Sequence, residues 1–407
     1  MARVLISFLG TGPFKVNEEG KREYEPANYY IDGVFYKTPF ISAALAEHLQ
    51  IEKRIIIGTA KSMWEEYYRY VMYNNPDYDE SFYDKLVNYC KNANHLTTDF
   101  ELIKELESRL TNTNITILKY GLDEEQLRFN IAQVLTIDQM LEKKDGVYVD
   151  VTHGFRSFPL LAQQIVFYLK EVSAKNVKFR NFYYGMLDAK KDLGYAPVVD
   201  LKIMFEMNDW ILGANQFKVS MNGSKIVSLI KDKDEKLADV LDSFSKALNI
   251  NYANEIQEQI KLLENFETTN IEYPEKLIVD KVINEFVSHF SNIEQQSKFQ
   301  YELAKWYYSK YNFGNAYVIL LEAIITLVCE ILNIDPYQKE QREKAKYYLN
   351  TKFNKKDNPY FPLSSLYKKL ILIRNNISHN LQKRVAKHLE DIDQLPVYFK
   401  LLKKYFK

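Results

Sequence analysis

Cysteine is almost missing from this chain, with two residues, Cys90 and Cys329, in 407. They lie far apart in helical-looking contexts, so no disulfide framework and no paired-cysteine zinc site can be built from them. A reducing cytoplasm is the expected setting. Net charge is missing too, since 54 Lys plus Arg balance 54 Asp plus Glu. A chain without a global basic field is a poor non-specific coat for nucleic acid, although a local basic groove stays open. No stretch reads as apolar enough, for long enough, to cross a bilayer. The opening MARVLISFLG has too short an apolar run for a secretory leader. No Asp/Glu/His cluster has convincing ligand spacing, so no metal is expected and a two-metal nuclease is not supported. Glycine (13) and proline (11) are scarce, and there is no internal repeat or low-complexity tract.

Aromatics are plentiful, with 31 Tyr and 24 Phe, and the chain reads as helix-rich and well packed. Its length suits two or three domains. In the first half, short apolar runs alternate with amphipathic stretches. RVLISFLG, KRIIIG, NITILKYG and GVYVDV read as core strands, and VKFRNFYYGML and YAPVVDL close the region as strands. NYYIDGVFY carries Asp32-Gly33 between aromatic runs, a hairpin signal. Thr38 and Pro39 are expected to start the helix of TPFISAALAEHL. Residues 74–107 read as additional helical material. Strand–helix alternation predicts a mostly parallel sheet with helices on both faces. After about Leu201 the strand signal ends and helix follows helix. Pro274 marks a softer boundary. The predicted fold class is α/β plus all-α, divided into 1–200, a helical stretch 201–290, and a helical domain 291–407.

In doubly wound sheets, ligands bind beyond the carboxyl ends of the strands. Three polar turns should meet there: LGTGPF, GTAKSMW and DVTHGFRS. Gly10, Gly12 and Gly154 allow close backbone approach. Thr11, Thr59, Ser62, Thr152 and Ser157 supply hydroxyls. Lys61, His153 and Arg156 supply positive or switchable charge. Such a set suits a ligand bearing phosphates and nucleobases. Each turn alone also fits ordinary turn and capping chemistry, but a cap needs one hydroxyl, not a His, an Arg and two hydroxyls in six residues. LGTG is not the full dinucleotide fingerprint, and no nicotinamide cofactor is expected.

A second informative stretch is LILIRNNISHN. It sets Arg374 and His379 five apart at the end of an apolar helical run, with Asn375, Asn376 and Ser378 between them. An Arg and a His at a helix C-terminus also fit favourable interaction with the helix dipole.

The N-terminal SFLGTG and DVTHGFRSFP resemble the CARF sensor domain of CRISPR-associated proteins, a Rossmann-like fold. The C-terminal RNNISH resembles the active-site motif of HEPN ribonucleases. In this order the two resemble the CARF–HEPN ribonucleases of type III CRISPR systems. The resemblance implies a cyclic-oligoadenylate sensor at 1–200, with cyclic tetra-adenylate the expected activator, and a metal-independent single-stranded RNA endonuclease at 291–407. In that reading Arg374 stabilises charge on the phosphate, His379 is the general acid or base, and Asn375 or Ser378 positions phosphate or histidine. The RNA 2′-hydroxyl is the nucleophile. A homodimer or higher homo-oligomer is expected, because two copies of each turn would match the symmetry of a cyclic ligand. Two other readings stay open: a ring nuclease that degrades the cyclic nucleotide through Thr11, Lys61 and His153, and a nucleotide-sensing transcription regulator.

Overall fold

The computed structural model describes residues 1–12, 14–18, 21–267, 270–378 and 388–406. The chain divides into two compact units, Met1–Phe205 and Glu206–Lys407.

The strands of the first unit are β1 (Arg3–Leu9), β2 (Phe14–Val16), β3 (Arg22–Tyr24), β4 (Ala27–Ile31), β5 (Val34–Thr38), β6 (Lys53–Thr59), β7 (Thr113–Leu118), β8 (Gly146–Asp150), β9 (Lys178–Gly185) and β10 (Ala196–Asp200). Its helices are α1 (Ile41–His48), α2 (Trp64–Met72), α3 (Glu80–Asn92), α4 (Glu101–Arg109), α5 (Glu124–Leu135), α6 (Ile137–Met140), α7 (Phe158–Glu171) and α8 (Lys190–Leu193). Helix α9 (Lys202–Ser220) spans the division. Eight strands form one sheet in the order β5-β4-β10-β9-β8-β1-β6-β7. β9, β8, β1, β6 and β7 run parallel, with β7 at one edge, and β5 and β10 pair antiparallel with β4 and β9 respectively.

The period of two along β1 explains the layers. Val4, Ile6 and Phe8 join Val147, Val149 and the α7 residues Leu161 and Ile165 on one face. Leu5 packs with Ile41 and Leu45 of α1, and Leu9 with Trp64 and Tyr67 beside it, on the other. Central parallel strands buried on both faces read as unbroken apolar runs, which is why RVLISFL and KRIIIG stand out. The Asp32-Gly33 turn forms as expected: both residues have positive φ, 46° and 89°, and Ile31 pairs with Val34 across it.

One expectation needs correction, and one element went unread. The helix after β5 begins at Ile41, not at Thr38-Pro39. Thr38 stays in the β5 ladder opposite Ala27, and the helix follows Phe40 without a side-chain cap. The β2–β3 ribbon, paired from Phe14–Tyr24 to Val16–Arg22, went unread because three-residue strands give no periodic signal.

The second unit is helical: α10 (Ser224–Lys231), α11 (Glu235–Ile250), α12 (Ala253–Glu264), α13 (Glu275–Phe290), α14 (Gln296–Ser309), α15 (Phe313–Ile331), α16 (Lys339–Asn350), α17 (Phe361–Ser378) and α18 (His388–Leu402). Here too one expectation is corrected: α15 is, by length and composition, apolar enough to cross a membrane. Its apolar side chains instead fill the core of this unit, where Leu320, Ile324 and Val328 are fully buried.

Candidate ligand site at the strand ends

β1 lies between β6 and β8, with Leu9 beside Gly58 and Ser7 beside Asp150. The three polar turns therefore leave the sheet at one edge. They enclose a cavity of about 240 Å³, whose lining includes Gly10, Thr11, Gly12, Thr59, Ser62, Thr152, His153 and Gly154. Phe155, Phe158 and Leu187 complete its apolar side. Lys61, Arg156 and Ser157 are not among the lining residues. Lys61 and Ser157 are half-buried and Arg156 is exposed. Ser157 precedes α7 without making a side-chain cap.

The hydroxyls divide by role. Ser62 donates to the Leu9 carbonyl at 2.5 Å and accepts from the Thr59 amide at 2.9 Å. Thr152 donates to Asp150 at 2.6 Å and accepts from the Gly185 amide at 2.7 Å. Both are fixed as struts between strand ends. The Met63 amide also donates to the Gly10 carbonyl at 2.9 Å. A Cβ on Gly10 would stand 2.8 Å from the Gly154 amide nitrogen, so the first and third turns touch through backbone that only glycine allows. Gly154 itself has φ +101°, and its Cβ would meet the Phe158 ring at 2.6 Å.

His153 departs from the expected switchable charge. Its ring is buried, with Nε2 facing the Tyr29 hydroxyl at 3.3 Å and accepting from the Ile41 amide at 3.4 Å. Burial pushes the imidazole down to about 4, so it is neutral near pH 7. It braces α1 against the third turn.

Asp150 and Ser7 were missed by sequence reasoning. Asp150 ends β8 fully buried, accepting from the Ser7 hydroxyl at 2.5 Å, the Thr152 amide at 2.9 Å and the Thr152 hydroxyl. Desolvation pushes its carboxyl up to about 6, against those hydrogen bonds. The available signal was a carboxylate closing an apolar strand, with a lone hydroxyl inside the neighbouring one.

In the second unit, Arg374 is exposed and Asn375 half-buried near the end of α17. His379 lies outside the described residues. Among the described residues, no group of three or more His, Cys, Asp or Glu is placed to hold a metal ion.

Residues 4–187 match the family model of the CRISPR system endoribonuclease Csx1, CARF domain. Over 402 residues the chain is 31% identical to the CRISPR-associated protein MJ1674 of Methanocaldococcus jannaschii, covering 93% of this chain and 62% of that protein. The first unit carries a CARF domain, and the chain as a whole is similar to a CRISPR-associated protein. The cavity thus belongs to the CARF domain. Residues 206–297 match the second domain of MJ1674, in the stretch for which the sequence offered no motif. The chain spans about 62% of the length of the curated relative it matches. Among solved structures, Enterococcus italicus Csm6 bound to cyclic hexa-2′-fluoro-hexa-dAMP aligns over 100% of this chain and 93% of its own, at 10% identity and a TM-score of 0.36.

Proposed function

We propose that this CARF protein is a ribonuclease switched on by a cyclic oligoadenylate. The observation that carries the sensing half is the cavity itself: three strand-end turns of a CARF domain meet around it, two of them in backbone contact through Gly10 and Gly154. Turns rich in backbone amides at a helix start suit phosphate. At about 240 Å³ the cavity falls short of the roughly 300–1,000 Å³ of ordinary ligand pockets. A ring of several nucleotides overfills it, which favours a homodimer in which two such cavities share one two-fold ligand. Arg156, exposed beside the start of α7, would then reach phosphate outside the cavity.

The catalytic half rests on RNNISH. Arg374 would stabilise charge on the scissile phosphate and His379 would transfer the proton, with the RNA 2′-hydroxyl as nucleophile and no metal required. Asn375 would position one or the other. The neutral, braced His153 counts against ring cleavage in the sensor cavity, because an imidazole pushed down to about 4, with Nε2 already accepting from the Ile41 amide, is a poor acid and a weak base near pH 7. The test is incubation with labelled cyclic tetra-adenylate and a reporter RNA in EDTA. Reporter cleavage that depends on the ring supports the proposal. An intact reporter beside a degraded ring would replace it with the ring-nuclease reading, and an intact reporter beside an intact, bound ring would leave a sensor with some other output.

A further inference from the structure

The second unit holds a cavity larger than the sensor's. It is about 470 Å³, set between the α11–α12 junction, the start of α14, the face of α15 and the start of α16. Its lining is polar: Asn251, Gln300, Glu322, Thr326 and Arg342 contribute, and Tyr252 and Tyr337 stand at it with their side chains largely exposed.

Most of these polar groups already have partners. Arg342 donates to Glu322, to the Thr326 hydroxyl at 3.2 Å and to the Pro336 carbonyl at 3.1 Å, which pins the guanidinium against the wall. Two do not. The side-chain oxygens of Gln300 and Asn251 are buried and accept no hydrogen bond. Gln300 is 7% exposed. Asn251 caps α11 in the left-handed region at φ 61°, where an Asn is tolerated. Buried acceptors are ordinarily matched, and these two line one cavity. What they lack is a donor.

We propose that this cavity takes a nucleobase bearing an exocyclic amino group, from the RNA strand that the nuclease cuts. An amino group brings two N–H donors on one atom, and the base behind it has flat faces for Tyr252 and Tyr337. Adenine, cytosine and, through its 2-amino group, guanine fit this description. Uracil offers a single ring N–H flanked by carbonyl oxygens, which would set lone pairs against the same acceptors. The place in the fold agrees with a substrate role: α15, which carries Glu322 and Thr326, packs on α17, which carries Arg374. Burial first, then the charges of Glu343 and Glu322, push the Tyr367 hydroxyl on α17 up, and Arg374 opposes them. The proposal rests on the ribonuclease reading for the source of the base, but the chemistry of the cavity is testable without it.

The full-length chain is first titrated with AMP, CMP and UMP, reading the melting temperature of wild type, Gln300→Met and Asn251→Gly. Methionine keeps the volume of Gln300 and glycine keeps the positive φ of Asn251, while each removes the acceptor. CMP is expected to raise the wild-type melting temperature more than UMP, and both variants to lose that difference while remaining folded; AMP is expected to keep in the variants only the rise that the CARF cavity gives it. A melting temperature for ligand-free Gln300→Met equal to or above wild type would confirm that the protein itself supplies no donor to Gln300. Uncleavable 2′-O-methyl oligo-A and oligo-C should bind the wild type on the order of tenfold more tightly than oligo-U, the worth of about one hydrogen bond, and equally with oligo-U in the variants. Equal responses to CMP and UMP in wild type and variants alike would overturn the proposal and mean that the cavity holds water only. A preference in mononucleotides without any reporter-RNA cleavage would keep the cavity and refute the nuclease.

Discussion

The Ser7 hydroxyl of β1 donates to the Asp150 carboxylate of β8 across 2.5 Å, inside the sheet and out of reach of solvent. Through Asp150 that contact reaches Thr152, and through Thr152 the Gly185 amide of β9. Three strand ends are thus locked by one buried carboxylate. Ser7→Ala removes one of the donors that offset its desolvation. We expect a loss on the order of 1–3 kcal/mol in urea unfolding and weaker binding of cyclic tetra-adenylate, because Thr152 and its turn line the cavity. Unchanged stability would show that the carboxylate finds another partner.

The two buried titratable groups at this site oppose each other in pH. Asp150, pushed up to about 6, binds its proton more readily folded than unfolded. Its contribution is full below the ordinary carboxylate range and is lost as pH rises through about 6. His153, pushed down to about 4, binds its proton less readily folded. Its contribution is full above about 6.5 and is lost as pH falls through about 4. Between these limits the two slopes offset. His153→Gln, whose amide oxygen can still accept from Ile41, should leave the Asp150 slope alone, so that its stability falls relative to wild type as pH rises from about 4 to about 6. Asp150→Asn should show the reverse, gaining on wild type with rising pH. Parallel stability–pH curves for all three proteins would contradict the assignment of these pKa shifts.

Gly10→Ala should fold and fail to bind. The added Cβ meets backbone at Gly154, 2.8 Å away, which can yield only by moving one turn from the other. Overpacking of this kind typically destabilises by about 1–3 kcal/mol, and we expect affinity for the ring to fall at least as far. Calorimetry on the folded variant decides it, and wild-type affinity would show that the ring does not use the gap between these turns.

How much of this was legible in the sequence follows from the kind of signal each feature leaves. β1, β6 and β8 announced themselves because strands buried on both faces are apolar throughout, and Gly10, Thr152 and Gly154 because polar turns stand out at their ends. The roles of the turn residues were not legible. Whether a hydroxyl faces a ligand or, like Ser62 and Thr152, spans two strand ends depends on strand order, which pattern alone does not give. His153 looked like a charge because composition carries no burial. Gln300 and Asn251 were invisible for the same reason: an unmatched acceptor is a property of three packed helices, not of a motif.

Arg156 tests the size of the ligand rather than the cavity. It is exposed and absent from the lining, so a mononucleotide seated in the cavity should not notice it. A larger ring should. Arg156→Ala is expected to weaken cyclic tetra-adenylate by about 1.5–3 kcal/mol, one charge-assisted contact, and to leave AMP binding to the CARF domain unchanged. Equal effects on both ligands, or none on either, would contradict a ring that extends beyond one protomer's cavity.

The most direct measurement is reporter-RNA cleavage by wild type, Arg374→Ala and His379→Ala with cyclic tetra-adenylate in EDTA, alongside a 2′-deoxy reporter and a binding assay for the ring. Wild type should cut the RNA and spare the 2′-deoxy strand. Each substitution should slow cutting by about 10²–10⁴-fold without weakening ring binding, and Mg²⁺ or Mn²⁺ should rescue neither. Cleavage by His379→Ala at the wild-type rate would reduce RNNISH to a helix end and refute the ribonuclease.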